Sequence, residues 1–229
     1  MPYARVMQEK SSFERARSPQ AKRMREQAIL DAAVRLSTER GVRAVTLTDI
    51  AADVGLHKSA MLRYFETREE IFLRLAAAGW QAWSAAVRAE LDDLGEDAPL
   101  PERAHRVAAI LAGSLASRPL FCDLLAHTPL NLERNVSLAT VRAFKVSALA
   151  EANAIATSLR RALPLDDAEA RDVVATATGM AGALWQMAAP GTQLRNLYET
   201  DPQLSHAVVE VGPRLTAILA RLLSGSLMS

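Results

Sequence analysis

The stretch Thr46 to Phe65, TLTDIAADVGLHKSAMLRYF, decides the fold of this chain, because it has the pattern of two short helices joined by a tight turn. Ala51 is small enough for two helices to cross closely, and Gly55 can adopt the positive φ that a chain reversal requires. Five apolar residues recur at helical spacing and predict a small shared core: Ile50, Val54, Leu56, Met61 and Phe65.

The outer face of the second helix carries hydrogen-bond donors and positive charge. Lys58, Ser59, Arg63 and Tyr64 fall on this face once the apolar residues are assigned to the core. A helix that presents such groups is suited to the major groove of double-stranded DNA. The alternative interpretation is a polar helix face that contacts only solvent.

Composition and charge narrow the possible classes of protein. The chain has 229 residues, half of them hydrophobic, which is enough for a sizeable core. Residues 1–66 carry twelve Lys and Arg against eight Asp and Glu, whereas residues 67–229 carry fifteen against eighteen. The excess of positive charge at the front favours contact with a phosphate backbone. The single cysteine, Cys122, excludes an internal disulfide and a cysteine-cluster metal site.

Several functions are disfavoured by the absence of their motifs. No apolar run approaches the roughly 20 residues that span a bilayer, and the first 25 residues lack the apolar region of a signal peptide. The sequence therefore predicts a cytoplasmic protein without a membrane partner. It shows no nucleophile elbow, glycine-rich phosphate loop or paired-histidine metal motif, so we expect neither an enzyme nor a bound cofactor or metal.

Helical periodicity extends along the whole chain, and no useful segment alternates with period two, so the predicted class is all-α. Ser18 and Pro19 predict the start of a first helix that ends at Gly41. Thr46 with Asp49 and Thr67 with Glu70 predict two further helix starts. Later helices are expected over Arg68 to Leu94, Pro101 to Ser117, Pro119 to His127, Leu132 to Leu163, Asp166 to Ala189 and Gln203 to Leu223.

These elements suggest three parts of the chain. Residues 1–17 are expected to form a basic mobile arm, and residues 18–66 a three-helix DNA-binding domain with the helix-turn-helix. Residues 67–229 are expected to form a larger helical domain that binds an effector and dimerises.

The segment Arg25 to Ala76 resembles the N-terminal domain of TetR-type transcriptional regulators. The resemblance covers the Ile-Leu-x-Ala-Ala pattern in the first helix, Gly41, the pair Ile50 and Ala51, Gly55 and the aromatic-ended second helix before a capping box. It implies a homodimer that binds a palindromic operator through one helix-turn-helix per subunit. It also implies a larger helical domain that binds a small-molecule effector and releases the DNA.

The resemblance assigns roles to individual positions of the helix-turn-helix. Lys58, Ser59 and Arg63 are implied to contact base edges in the major groove. His57 stands where the family usually has a small N-cap residue, and it is included as a further DNA contact. The implied phosphate or groove-edge contacts are Thr46, Thr48, Tyr64 and Arg68.

The second domain offers weaker signals. Six aromatic or apolar residues on different helices are expected to line an effector pocket, although residues of this kind usually form plain core: Trp83, Phe121, Leu125, Phe144, Met180 and Trp185. The helices Asp166 to Ala189 and Gln203 to Leu223 carry small and apolar residues, and the resemblance implies that they pair with their twofold mates.

The leading hypothesis is a ligand-responsive homodimeric repressor. Two alternatives stay open at this point: an activator of the same family, and a helical interaction module that never binds DNA. Salt-dependent binding to its own upstream DNA would separate the regulators from the interaction module.

Overall fold

The computed structural model describes residues 19–95 and 98–227, which are helical throughout with no strand in those ranges. The predicted arm, residues 1–17, and the predicted cap Ser18 lie outside the described residues. Ten α-helices occur in the described ranges: α1 Pro19–Arg40, α2 Leu47–Asp53, α3 Lys58–Met61, α4 Arg68–Asp92, α5 Leu100–Ala116, α6 Pro119–His127, α7 Leu138–Ala162, α8 Asp167–Ala188, α9 Gln193–Thr200 and α10 Val211–Ser226.

The first three helices form as the local signals predict. The buried face of α1 consists of Ile29, Ala32, Ala33, Leu36 and Ser37. This helix ends before Gly41, whose φ of 80° is a conformation that residues with a Cβ rarely adopt. A short 3-10 turn, Val42–Ala44, then leads into α2.

The long helix α4 runs from the helix-turn-helix into the rest of the protein. It begins where predicted, because the Thr67 side chain accepts a hydrogen bond from the Glu70 amide. Its buried face includes Phe72, Trp80, Trp83 and Val87. Helix α7 packs along α4, α6 packs on α8, and α10 packs on α5 and α8. The chain thus forms one helical body with the helix-turn-helix at one end of α4.

The last helix differs from its predicted bounds. It begins at Val211 and not at Gln203, and a separate helix, α9, occupies residues for which no helix was predicted from the sequence. Pro213 explains the start, since it lies in the first turn of α10, where its missing N–H has no helical partner to lose. A helix from Gln203 would place this proline in its interior, which costs about 3 kcal/mol.

Two other helices, α7 and α3, are shorter than predicted. Helix α7 begins at Leu138 and not at Leu132, because Ser137 caps it by accepting from the Thr140 amide. A π turn, Thr128–Leu132, precedes it. Helix α3 ends at Met61, and the backbone continues to Tyr64 as turns in which the Tyr64 amide donates to the Met61 carbonyl at 2.9 Å.

Membrane-spanning potential is low along the described helices. None of them by itself has both the length and the apolar composition to cross a bilayer. The pair Leu100–Ala116 and Pro119–Leu132 passes the same criteria only together, with a bend of 88° between its halves.

Candidate nucleic-acid interface and the helical domain behind it

The helix-turn-helix is built on a compact core. Ile50, Ala51, Met61 and Phe65 are all at most 2% exposed. Helix α2 starts with a capping box, in which the Thr46 hydroxyl accepts from the Asp49 amide at 3.2 Å and the Asp49 carboxylate accepts from the Thr46 amide at 2.8 Å. These contacts fix where α2 begins, and the shared core fixes α3 against it.

The turn between α2 and α3 depends on Gly55, whose φ is 64°. The Leu56 amide donates to the Ala51 carbonyl at 2.8 Å and closes the turn. A side chain at position 55 would meet no atom within 4 Å, so the backbone conformation and not lack of space explains the glycine.

The face of α3 that points away from this core carries the predicted contact residues. His57, Lys58, Ser59 and Arg63 are all exposed. The imidazole Nδ1 of His57 lies 3.1 Å from the Ser59 hydroxyl. Among the described residues, no carboxylate lies within ion-pair distance of Lys58 or Arg63, so both charges remain available to a ligand.

The predicted phosphate contacts occupy different environments. Thr48 is exposed at the start of α2. Thr46 is also exposed, but its hydroxyl donates to the Asp49 carboxylate at 2.6 Å as part of the cap. Tyr64 is half-buried, and its ring packs against the core. Of these residues, Thr46 and Thr48 are thus exposed at the start of α2, and Tyr64 is only partly accessible.

Arg68, expected as a phosphate or groove-edge contact, is half-buried, and its guanidinium is engaged by the protein itself. Its guanidinium donates to the carbonyls of Val42 and Val45, pairs with Glu69 at 3.2 Å, and lies 4.4 Å from the centre of the Phe72 ring. Its donors are used to hold the segment between α1 and α2. A long, forked cation can bridge two carbonyls in this way, which the sequence pattern alone did not reveal.

A second contact to the same segment comes from α6. The Asp123 carboxylate is 7% exposed and accepts from the Val42 amide at 2.7 Å. Its other oxygen accepts from the Gln186 side chain of α8 at 2.8 Å and lies 3.1 Å from Nδ1 of His127. Sequence reasoning missed this cluster. The available signal was a single carboxylate inside the apolar run LFCDLLA.

Asp123 and His127, the two titratable groups of this cluster, shift each other's pKa. Burial opposes ionisation of Asp123, but the hydrogen bonds from His127, Val42 and Gln186 outweigh it, so the pKa of Asp123 is lowered. The hydrogen bond to Asp123 raises the pKa of His127, against the opposing effects of burial and of the Arg68 charge. Burial, followed by the charge of Asp123, raises the pKa of the neighbouring Cys122 thiol to about 12.

The end of the helix-turn-helix is tied to α7. The Glu66 carboxylate accepts from the Ser137 amide at 2.9 Å, at the N-cap of α7. Hydrogen bonds from the Ser137 amide and the Thr140 hydroxyl lower the pKa of Glu66. The DNA-binding domain, residues 18–66, is therefore hydrogen-bonded to the helical domain both through Asp123 and through Glu66.

Two residues predicted to line a pocket lie instead in a packed aromatic cluster. Trp83 is fully buried and donates from its indole nitrogen to the Ser114 hydroxyl at 2.9 Å. Its ring centre lies 5.5 Å from that of Trp80 and 6.0 Å from that of Phe121. Gly79 makes room for the Phe121 ring, since a Cβ there would lie 2.4 Å from it.

Two clefts border other predicted pocket residues. Trp185 lines a cleft of about 580 Å³ between the ends of α5 and α8 and the start of α10, together with Arg195, Glu199 and Glu210. Phe144 lines a separate groove of about 330 Å³ between α4 and α7. Leu125 and Met180 are half-buried against the core. Trp185 and Phe144 thus line two different clefts.

One face of α8 is exposed and made of small residues. Ala175, Gly179 and Ala183 are exposed at intervals of one helical turn. Gly182, another small residue of this helix, is buried against α6. On α10, Leu215 and Leu219 belong to the core of the chain itself, while Ile218 and Leu222 are half-buried.

Comparisons with known proteins agree with this architecture. Residues 29–75 match the family described as bacterial regulatory proteins of the tetR family, and residues 77–229 match the tetracyclin repressor-like C-terminal domain. No curated protein sequence matches the chain.

Solved structures of regulators share the fold at low sequence identity. PfmR from Thermus thermophilus, a TetR family transcriptional regulator, is 19% identical, with 86% of this chain and 97% of that chain covered and a TM-score of 0.52. FadR from Thermus thermophilus in complex with lauroyl-CoA is 18% identical, with 89% and 95% covered and a TM-score of 0.54. FadR from Bacillus subtilis in complex with stearoyl-CoA is 18% identical, with 86% and 96% covered and a TM-score of 0.51.

Proposed function

The chain belongs to the TetR family of bacterial transcriptional regulators, and from this premise we propose that it is a homodimeric, ligand-responsive repressor of a palindromic operator. Residues 18–66 bind the DNA, and residues 67–229 dimerise and bind the effector. Residues 1–17 add positive charge in front of the DNA-binding domain. A protein with this role acts in the cytoplasm, where the operator lies.

One observation carries the DNA-binding role. Lys58 and Ser59 are exposed on α3 and Arg63 is exposed in the turn that follows it, and no described carboxylate neutralises the two cations, while Met61 on the opposite side of the helix is buried in the core. A rigid helix with free donors can enter the major groove without first losing internal ion pairs. Lys58 and Arg63 pair with guanine edges in this proposal, each discriminating by about 1–3 kcal/mol.

The surrounding residues position this helix on the duplex. Thr48 and Tyr64 contact phosphates, and the Thr46 backbone lies at the same edge while its hydroxyl maintains the cap. His57 approaches the DNA together with Ser59, its neighbour at 3.1 Å. Arg68 supports the recognition surface from within, because its guanidinium is occupied by backbone carbonyls.

Dimerisation supplies the second recognition helix. The exposed small residues of α8 allow a close approach of a second copy, with α10 completing a four-helix interface. A twofold dimer reads two half-sites whose centres are about 34–36 Å apart, and this spacing makes the operator palindromic.

The effector is a small molecule that binds the helical domain and favours a different spacing of the two recognition helices. Such a ligand shifts DNA binding only by the difference between its affinities for the two conformations. Acyl-CoA molecules belong in the first panel of candidates, because two proteins of the same fold hold them. The cleft beside Trp185 is the candidate entry on this chain.

The proposal is tested by selecting bound fragments from random double-stranded DNA with the full-length protein. A palindromic consensus is expected, and the log of the affinity for it should fall linearly as log salt concentration rises. Removal of both cations, Lys58→Ala with Arg63→Ala, should abolish selective binding and leave the helical circular-dichroism spectrum unchanged.

The matched control removes two exposed cations elsewhere, Arg106→Ala with Arg160→Ala, so that the change in net charge is the same. This control should keep most of the affinity. Equal losses in the two double variants would show that only net charge matters, and no enrichment of any sequence would refute the proposal. A reporter gene behind the selected operator distinguishes repression from activation.

A further inference from the structure

We infer that Asp123 is a positioning residue for DNA recognition, which ties the segment in front of the helix-turn-helix to the end of α8. The inference deepens the proposed function and rests on it. It assigns a role to a carboxylate that lies in the helical domain and does not reach the DNA-binding surface.

Three parts of the chain meet at this carboxylate. One oxygen accepts from the Val42 amide at 2.7 Å, and the other accepts from Nε2 of Gln186 at 2.8 Å. His127, one turn further along α6, places Nδ1 at 3.1 Å from the same oxygen as Gln186. Both oxygens are therefore occupied, and Asp123 is 7% exposed. Buried charge-assisted hydrogen bonds of this kind are strong and directional.

The segment that Asp123 holds is also held from its other side. Arg68 donates to the carbonyls of Val42 and Val45. The Val42 amide is therefore bound by the negative charge of Asp123, and the two carbonyls are bound by the positive charge of Arg68. Val42 and Val45 are fully buried. The next residue, Thr46, is the N-cap of α2. A displacement of the turn must therefore move the start of α2, and α3 with it, because the two helices share one core.

The other end of the connection lies beside a cleft. Gln186 is next to Trp185 and close to Ala188, and both line the cleft of about 580 Å³. A molecule that enters this cleft and displaces the end of α8 pulls Gln186 away from Asp123 or moves both together. Either change is transmitted to the Val42 amide through the Asp123 side chain. The path is a contiguous set of hydrogen bonds and needs no rearrangement of the aromatic cluster.

The test uses the full-length protein and the variant Gln186→Ala. Residue 186 is exposed, so its truncation should leave the fold intact. Amide hydrogen exchange in peptides covering residues 41–47 should accelerate by a factor of about five to ten, as expected when one buried hydrogen bond is lost. Exchange in the middle of α4 should not change. Gln203→Ala removes another exposed glutamine, which is not part of the cluster, and should change hydrogen exchange neither in residues 41–47 nor in the middle of α4.

Operator binding provides the second readout. Gln186→Ala should raise the Kd for the selected operator by a factor of about five to ten, while the slope of log affinity against log salt stays the same, because no phosphate contact is lost. Asp123→Asn should have a larger effect, since its amide nitrogen must face either the Val42 or the Gln186 donor. If Asp123→Asn does not fold, Gln186→Ala decides the question.

The outcomes separate the inference from the proposed function. Unchanged exchange in residues 41–47 of Gln186→Ala refutes the connection, whatever the DNA binding shows. Accelerated exchange with unchanged operator affinity refutes the positioning role. Failure of the wild-type protein to enrich any DNA sequence refutes the proposed function, and the exchange experiment then shows only whether the two parts of the chain are linked.

Discussion

Gly182 of α8 lies directly against the backbone of Ala126 in α6, since a Cβ at position 182 would be 2.8 Å from the Ala126 amide nitrogen. The two helices therefore approach as closely as a glycine permits. The same pair of helices carries Gln186 and Asp123, each about one turn away from this contact. The contact between Gly182 and Ala126 thus sets the distance between α6 and α8, close to the hydrogen bond between Gln186 and Asp123.

We expect Gly182→Ala to destabilise the protein despite the higher helix propensity of alanine. The added methyl group must push a backbone atom aside, and overpacking of this kind costs about 1–3 kcal/mol. Gly113→Ala is the matched control, because Gly113 is exposed inside α5 and a Cβ there meets no atom within 4 Å. It should stabilise the folded chain by up to about 1 kcal/mol. Urea denaturation measures the change in the free energy of unfolding for both variants. Equal changes would contradict the close approach of α6 and α8.

We expect Gly179→Glu to weaken homodimers without unfolding the chain. Gly179 is exposed in the middle of the small-residue face of α8, and a carboxylate there would be buried against its twofold mate in the proposed dimer. Analytical ultracentrifugation should show a shift toward monomer at concentrations where the wild type is dimeric. Asn153→Glu, at an exposed position of α7, is the control, because it adds the same single negative charge outside the proposed interface. An unchanged association constant would place the interface elsewhere.

We expect Arg68→Gln to weaken operator binding without changing its salt dependence. The Arg68 guanidinium is bound to the Val42 and Val45 carbonyls, so its loss disturbs the turn but releases no phosphate contact. For a phosphate contact, the slope of log affinity against log salt would fall by about one. Titrations of the operator DNA at several salt concentrations distinguish a residue that holds the turn from one that contacts a phosphate. Arg68→Lys keeps the charge but lacks the planar fork whose separate nitrogens reach the two carbonyls, so it should also lose affinity.

We expect His127 to stabilise the protein more at acidic than at alkaline pH. Its pKa in the folded protein is raised above 6.5, mainly by the hydrogen bond to Asp123. Its contribution is therefore fully present below pH 6.5 and is lost as the pH rises through the folded pKa above that value. The pKa of Asp123 is lowered, so that carboxylate stays ionised across this window.

The measurement for His127 is the free energy of unfolding of wild type and His127→Gln at about pH 5.5 and about pH 8.5. The difference between the two proteins should be larger at the lower pH. His105→Gln, at an exposed position on α5, is the control and should show no such trend. A difference that grows toward alkaline pH would contradict the assignment.

Much of the candidate interface could be predicted because its determinants are local. The caps at Thr46 and Thr67, the turn glycine Gly55 and the apolar spacing of the small core each involve residues within a few positions of one another. Such signals act within one or two helical turns. They were sufficient to predict the all-α class and the exposed face of α3, whereas the family was indicated by the resemblance of the segment Arg25 to Ala76.

Other features were decided only by the tertiary structure. Arg68 is adjacent to the predicted surface in sequence, but its partners lie 23 and 26 positions away. Asp123 and the Val42 amide are separated by 81 positions, and Gln186 is a further 63 positions beyond Asp123. No periodicity encodes pairings of this kind, because the same side chain satisfies its hydrogen bonds with whichever segment packs against it.

The sequence by itself therefore determined most of the helical segments, but not α9 or the start of α10, and which side of α3 is exposed, since burial of apolar residues at helical spacing requires no knowledge of distant parts of the chain. Tertiary packing alone decided that the aromatic residues of the helical domain fill a core and that Asp123 reaches the DNA-binding domain. The physical reason is that helix formation depends on neighbouring residues, whereas the partner of a buried charge or ring depends on the arrangement of whole helices.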